Sequence, residues 1–390
     1  MRRHHRARLL WPLLTAVLAT ACGTVSTAGN TADTVRSDDP RVAEARRTVA
    51  EAMNVPEFTL DAPVIDAAKA RGKRIAHIPG TSQLAYQQNI TAALKKTAAR
   101  LGIEFIDFSV NGTPADWAKA LDTAITQRPD VILVDSPDPG LLVPQLTRAK
   151  AAGIQVVSGL LYQSQDTVPE NVRGLLSAVV TKPFRQAGAL QATYAFSQLG
   201  DKLKPLVLST PDFLGSRFGE QGITESLGQL CPGGCRPTFI RLPSTQWDKF
   251  RTEVQSALNR DPSLNYILPL YDNMALPVVS GLLAQGRTGT TPIATYNGTP
   301  AALDLVRSGG IGMDIGESLD WYAMAMFDQC LRLLVGAQPV ASGDERTPLR
   351  IFTKDNVAET GVPATPANGY GTGYLDGYAK LWSVPAEALR

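Results

Sequence analysis

The order of apolar runs along the 390 residues predicts an α/β protein built as two open lobes of parallel strands. Three observations carry that expectation. From residue 73 onward, short β-branched apolar runs alternate with amphipathic segments of 12 to 20 residues, the rhythm of parallel βαβ units. The rhythm occurs in two blocks with an irregular stretch between them. The composition (44% hydrophobic, 19% charged, 7% aromatic) is that of a globular chain, and the length suits two lobes at roughly 150 residues per domain.

The N-terminal segment, residues 1 to 21, has a basic start, an apolar stretch from Leu9 to Leu18, and then Ala19, Thr20 and Ala21 before Cys22. About ten apolar residues are too few to span a bilayer as a helix, but they match a secretory signal. Small residues just before a cysteine resemble the bacterial lipoprotein signal, in which cleavage precedes the cysteine and lipid is added to it. Cys22 is therefore the expected lipidation site, the alternative being an ordinary signal with an incidental cysteine. Residues 23 to 30 are small and polar, as befits a tether. The span from 22 to 72 reads as that tether plus one or two short helices.

In the first block, strands are expected at 73 to 78, 103 to 108, 131 to 135 and 154 to 157, with helices near 84 to 101, 114 to 127 and 141 to 152. In the second, strands are expected near 174 to 180, 205 to 209, 237 to 241, 265 to 270 and 292 to 296. A shorter run at 311 to 315 leads into a long helix from about 319 to 335. The tail from 355 to 390 carries glycine and aromatic residues and has no clear period. In open parallel sheets ligands bind outside the carboxyl ends of the strands. Six loop mouths follow from that rule: 79 to 86, 135 to 138, 159 to 162, 210 to 218, 271 to 273 and 296 to 299.

Charge and histidine content exclude several functions. Without the leader arginines Arg2, Arg3, Arg6 and Arg8, the chain has 34 basic against 36 acidic residues, so no global field favours nucleic acid. Of three histidines only His77 lies outside the leader, which removes His-rich metal sites and leaves a catalytic triad one possible base. His77 sits in an apolar strand and reads as a core or strand-face residue. There is no GxSxG nucleophile elbow. Gly281 to Thr288 has arginine where a phosphate-binding loop needs lysine, and it follows a helix. Gly369, Gly371 and Gly373 lack a preceding strand, so no dinucleotide site is expected. No cofactor, metal or catalytic residue is implied.

Cys231 and Cys235 flank Pro232, Gly233 and Gly234, a turn sequence, and in an exported protein they are expected to form a local disulfide. Cys330 is expected to be a buried free thiol in a helix.

Specific stretches then resemble a known family. Asp261-Pro-Ser-Leu-Asn-Tyr-Ile-Leu-Pro-Leu-Tyr-Asp272 with the following Asn273, Met274 and Ala275, Asp130 to Asp135 with Ala149 to Val157, and Tyr296-Asn297-Gly298-Thr299-Pro300 are similar, in order, to blocks of type I periplasmic sugar-binding proteins, the ribose-binding group. The similarity covers about residues 73 to 354. It implies two Rossmann-like lobes joined by a three-crossing hinge, with the ligand enclosed by hinge closure. The N-terminal lobe would be 73 to 159 plus 318 to 345, the C-terminal lobe 160 to 317 plus 346 to 354, and the rest a tail. It also implies an extracytoplasmic monomer that delivers a small molecule to an ABC permease, with ligand sensing without transport as the alternative. A LacI-type repressor shares the lobes, but here a signal replaces its DNA-binding helices.

The resemblance places Tyr86 on the first-lobe aromatic position and Trp247 near the second-lobe one. Other positions depart from the sugar pattern: an Asp-Arg pair is Leu160-Leu161 here, an asparagine is Tyr271, an aspartate is Asn297, and a glutamine near the hinge is Glu317. Arg217 lies two residues from the expected ligand arginine, and Asp138 closes the second mouth. The expected ligand contacts are Tyr86, Asp138, Arg217, Trp247, Tyr271, Asn297 and Glu317. Retained aromatics with fewer polar groups favour a solute that is sugar-like or flatter and more apolar, and Glu317 without a firmly placed arginine favours a neutral or cationic solute and disfavours an anion.

Overall fold

Helix α1 (Pro40–Ala52) is the first element of the computed structural model, which describes residues 39–163 and 168–390. Asp39 caps it by accepting from the Arg41 N–H, and Pro40 opens the helix where no intrahelical N–H is needed. The first sheet follows: β1 (Arg74–Pro79), α2 (Ala85–Leu101), β2 (Glu104–Asp107), α3 (Pro114–Gln127), β3 (Val131–Asp135), α4 (Val143–Ala151), β4 (Gln155–Gly159), the short α5 (Glu170–Arg173) and β5 (Ala178–Val179). Its strands are all parallel, in the order β2-β1-β3-β4-β5.

The second block runs α6 (Phe184–Leu199), β6 (Pro205–Ser209), α7 (Leu214–Leu230), β7 (Thr238–Arg241), α8 (Phe250–Arg260), β8 (Tyr266–Pro269), α9 (Asp272–Ala284), β9 (Ala294–Asn297), α10 (Pro300–Ser308) and β10 (Met313–Gly316). Helix α11 (Leu319–Leu334) then packs on α2, β3 and β4 of the first sheet. Strand β11 (Arg350–Phe352) returns to pair antiparallel with β10, and α12 (Gly373–Leu381) packs on α11. A bridge between Ile267 and Ile293 joins β7-β6-β8 to β9-β10-β11, giving a second layer of six strands.

The continuous apolar runs follow from burial on both faces. In β3, Val131 and Leu133 enter one apolar cluster while Ile132 and Val134 enter another, because successive side chains leave opposite faces. In β6, Val207 joins the first of these clusters and Leu206 and Leu208 a third. The cluster shared by β3 and β6 also holds α11 and parts of α1, α6 and α12, so it is continuous across both sheets.

One expectation is corrected. Ala178–Val179 pairs with β4, so the strand expected near 174 to 180 is the edge of the first sheet, and the chain leaves that sheet at 180–183 rather than at 160. The segment ahead of β1 carries the expected short helices, and they are packed on the body: α1 lies on α6, and Arg41 Nη1 donates to Leu230 O at 2.9 Å. Residues beyond it then reach the first sheet's side. Phe58 stacks on Trp321 with centroids 5.8 Å apart, and Ile65 N–H donates to Leu381 O at 2.7 Å. The tail is likewise folded. Arg307 ties it to α10 through the Gly361 carbonyl, while α12 lies on α11.

Cys231 and Cys235 are joined as a disulfide at the end of α7, with Cα atoms 5.6 Å apart. Cys330 is free and buried in α11, where loss of solvent pushes its thiol pKa up. The lipidation candidate Cys22 lies outside the described residues.

Candidate functional site

The cleft lies at the carboxyl ends of both sets of parallel strands. Each of the six mouths contributes: Gly80 and Tyr86 after β1, Ser136 after β3, Leu160 and Leu161 after β4, Phe213 after β6, Tyr271 after β8 and Asn297 ending β9. Together they bound about 660 Å³ of empty space, counted to its open mouth. Backbone strain concentrates here. Ser136 (φ 89°), Leu160 (φ 65°), Asn297 (φ 145°) and Ser318 (φ 48°) hold positive φ that side-chain-bearing residues avoid. Such conformations persist only where surrounding structure enforces them.

One wall is aromatic and comes from the second sheet. Trp247 sits in a short 3₁₀ turn, Ser244–Lys249, and stacks on Tyr271 with centroids 6.2 Å apart and planes at 27°. Phe213 meets both rings edge-on, at 5.8 and 6.1 Å. Trp247 is only 8% exposed. Leu160 and Leu161 line the cavity from the first sheet, so its surface is largely apolar.

The floor carries the charge. Lys182 and Glu317 form an ion pair, their side chains 0% and 2% exposed. The Lys182 ammonium also donates to Tyr86 Oη at 2.7 Å, and the rings of Tyr86, Phe184, Tyr296 and Tyr322 surround it at 4.8 to 5.4 Å from their centroids. Glu317 accepts from Tyr296 Oη at 2.9 Å and Asn297 Nδ2 at 3.0 Å. Burial depresses the Lys182 pKa, against the pull of Glu317 and Asp135. Tyr86 is pushed the other way by burial and by Glu317.

A second polar chain leads away from the cavity. Gln87 donates through Nε2 to Asp135 and accepts from Ser136 Oγ at 3.3 Å. His77 stands behind Asp135, its Nε2 at 3.7 Å, and its Nδ1 lies 2.9 Å from Asp107. Burial works against an imidazolium, but the two carboxylates outweigh it and raise the His77 pKa. His77 is fully buried and is not part of the cavity lining, which suits a core residue.

Of the residues expected at the site, Tyr86, Trp247, Tyr271 and Asn297 line one cavity, and Glu317 lies directly beneath it. Asp138 and Arg217 are outside the lining. Asp138 is exposed and accepts from the Gly140 N–H at 2.8 Å, capping a 3₁₀ turn, and Arg217 lies on the exposed side of α7. Glu317 is not a free negative charge, so the sequence-based reason for disfavouring anions and admitting cations does not hold. Lys182, Gln87 and Phe184 were missed. The mouth intervals had contained Phe213 without singling it out.

A family model described as a periplasmic binding protein domain matches residues 75–338. The chain belongs to the periplasmic binding protein family. It is an extracytoplasmic solute-binding protein of the type I fold, not an enzyme. Over 243 residues it is 24% identical to a D-ribose/D-allose-binding protein of Pseudomonas aeruginosa, covering 60% of this chain and 73% of that one. Among solved structures it resembles an ABC transporter solute-binding protein from Agrobacterium vitis bound with α-D-tagatopyranose (TM-score 0.65, 22% identity, 74% of this chain and 96% of that one). It also resembles one from Actinobacillus succinogenes with bound D-allose (0.64, 17%, 73% and 99%) and one from Bacillus halodurans with bound myo-inositol (0.64, 17%, 75% and 99%). About a quarter of this periplasmic binding protein lies outside what it shares with these three.

Proposed function

We propose that the chain is a lipoprotein, anchored through Cys22, that captures a small neutral ring-shaped solute between its lobes and delivers it to an ABC permease. The observation that carries the ligand class is the pairing of Lys182 with Glu317 beneath an aromatic wall. The charges nearest the cavity neutralise one another, and a charged solute would be desolvated there without a free counter-ion. Phe213, Trp247 and Tyr271 offer flat apolar surface for a ring. The sugars and the cyclitol bound by the relatives belong to this neutral class, and the leucines at 160 and 161 favour a solute with a more apolar face.

A thermal-shift screen over sugars, polyols, aromatic acids and sterol-like compounds tests the reading, since ligands that bind the native state raise Tm. Neutral ring compounds are expected to raise it. A response confined to acids, or no response, would overturn the ligand class. The anchor is tested separately: mass analysis of membrane-derived protein should find a diacylated peptide beginning at Cys22, and a soluble product cut elsewhere would remove it.

A further inference from the structure

The Lys182–Glu317 pair joins two of the three passages between the sheets. Lys182 lies at 180–183, where the chain leaves β5, and Glu317 follows β10 at the start of the return to α11. The third passage, 335–349, is tied to the first by the Thr181 N–H donating to Gly343 O at 2.9 Å. Each member of the pair also holds one residue of the cavity. Lys182 fixes Tyr86 from the first sheet's helix α2, and Glu317 fixes Asn297 from the end of β9 in the second.

Hydrogen-bond accounting then sets what those two residues can offer. A carboxylate only accepts, so the Asn297 amide must turn its Nδ2 to Glu317 and its Oδ1 away. An ammonium only donates, so Tyr86 Oη accepts from Lys182, and its own proton has no acceptor among the described residues. The floor therefore presents one donor from the first lobe and one acceptor from the second. A hydroxyl group on a solute can satisfy both.

We propose that the Lys182–Glu317 pair is a hinge clamp that positions Tyr86 and Asn297, one from each lobe, and selects a solute whose hydroxyl group bridges the Tyr86 hydroxyl and the Asn297 carbonyl oxygen. The selection part rests on the solute-binding reading above; the clamp part does not. Removing the pair frees two crossings and lets the lobes separate. Lys182 and Glu317 are positioning residues, acting through the two that face the solute.

The test uses the chain from residue 23 onward, expressed without its lipid. Lys182→Met alone leaves a buried unpaired carboxylate and can unfold the protein, so the informative variant is K182M/E317Q, which removes both charges at nearly constant volume. Tyr86→Phe keeps the ring and removes only the hydroxyl. Small-angle X-ray scattering without ligand should show a larger radius of gyration for the double variant, and a smaller increase for Y86F. Calorimetry with D-allose, D-ribose and myo-inositol as probes should show an affinity loss of about tenfold in either variant, the scale of one or two positioned hydrogen bonds. Unchanged scattering in both variants would overturn the clamp, and probe affinities that match wild type in both would overturn the selection. If no probe binds wild type and the double variant still opens, the clamp stands and the solute reading fails for these compounds. If the double variant does not fold, Glu317→Gln, which neutralises one member of the pair and keeps its shape, takes its place: scattering and probe affinity both unchanged from wild type reject the clamp.

Discussion

Two buried ion pairs flank the passages between the lobes, and they have opposite surroundings. Lys182–Glu317 hands its hydrogen bonds to residues that face the cavity. Asp328–Arg332, on α11, hands its bonds to the terminal extensions: Arg332 Nη1 donates to Pro63 O at 2.9 Å, and Trp382 Nε1 donates to Asp328 at 2.6 Å. Glu345, in the third passage, accepts from Tyr378 Oη at 3.2 Å, and burial with Asp328 close by raises its pKa well above the usual carboxyl range. Both pairs are almost completely buried. One holds residues that line the cleft, and the other ties the segment ahead of β1 and the segment after β11 to a single helix. Buried ion pairs give little net stability over apolar packing, so their positions are better read as specifying geometry.

The sharpest way to break that comparison is Arg332→Met. It leaves Asp328 buried without its partner and removes the tie to Pro63, and the expected cost is about 3–5 kcal/mol. Denaturant unfolding should show this loss, with probe affinity in the remaining folded protein close to wild type. A large affinity change would mean that the two pairs are not separate devices. Restoration of most of the stability by adding Asp328→Asn would confirm that the unpaired charge is the cause.

Trp247→Ala addresses the cavity side. The ring stacks on Tyr271 and is packed with Phe213, so truncation should destabilise the empty protein by about 3 kcal/mol, the lower end for Trp→Ala because one face already borders empty space. Unaltered stability would be expected of a ring that served only the ligand, and the packing rules that out. Solute affinity should fall by a further ~1 to 3 kcal/mol. Calorimetry at a temperature where the variant is folded separates the two effects.

The repeating strands were legible because parallel sheets buried on both faces write themselves as short apolar runs, and the mouths followed from strand polarity alone. Tyr86 and Trp247 were legible as aromatics at the expected places. Lys182 was not, since a lysine beside a proline in a loop reads as solvated, and its burial comes from groups distant in sequence: Glu317, 135 residues later, and the rings of Tyr86, Tyr296 and Tyr322. The edge strand Ala178–Val179 was assigned to the wrong sheet for a related reason: two residues carry no period, and pairing with β4 decides their place. Arg217 is adjacent to Ser216, which donates to Tyr271 at 3.2 Å, yet one step along a helix turns the side chain to solvent.

The smallest expected effect concerns a carboxyl pair beside the clamp. Asp272 accepts from the Thr299 N–H at 2.8 Å and from its hydroxyl at 2.7 Å, and Asp314 accepts from the Gly298 N–H at 3.3 Å. Burial, partly offset by those bonds, raises the Asp272 pKa from 3.8 to about 6; burial and the neighbouring Asp272 raise Asp314 further. Thr295, Tyr370 and Glu317 are the other polar or ionisable groups facing the pair, and Glu317 adds to the rise in Asp314. A folded pKa above the unfolded one means that the folded state binds more protons between the two values. The stabilisation from that protonation is full below about pH 3.8 and is lost as pH rises through about 6. Asp314→Asn keeps the shape and removes one acid. Its unfolding free energy should match wild type near pH 4 and exceed it by about 1 kcal/mol above pH 6, on the scale of one pKa unit of relieved repulsion. Parallel curves from pH 4 to 8 would show that Asp314 binds no more protons in the folded state than in the unfolded one, and that its neighbour Asp272 does not raise its pKa.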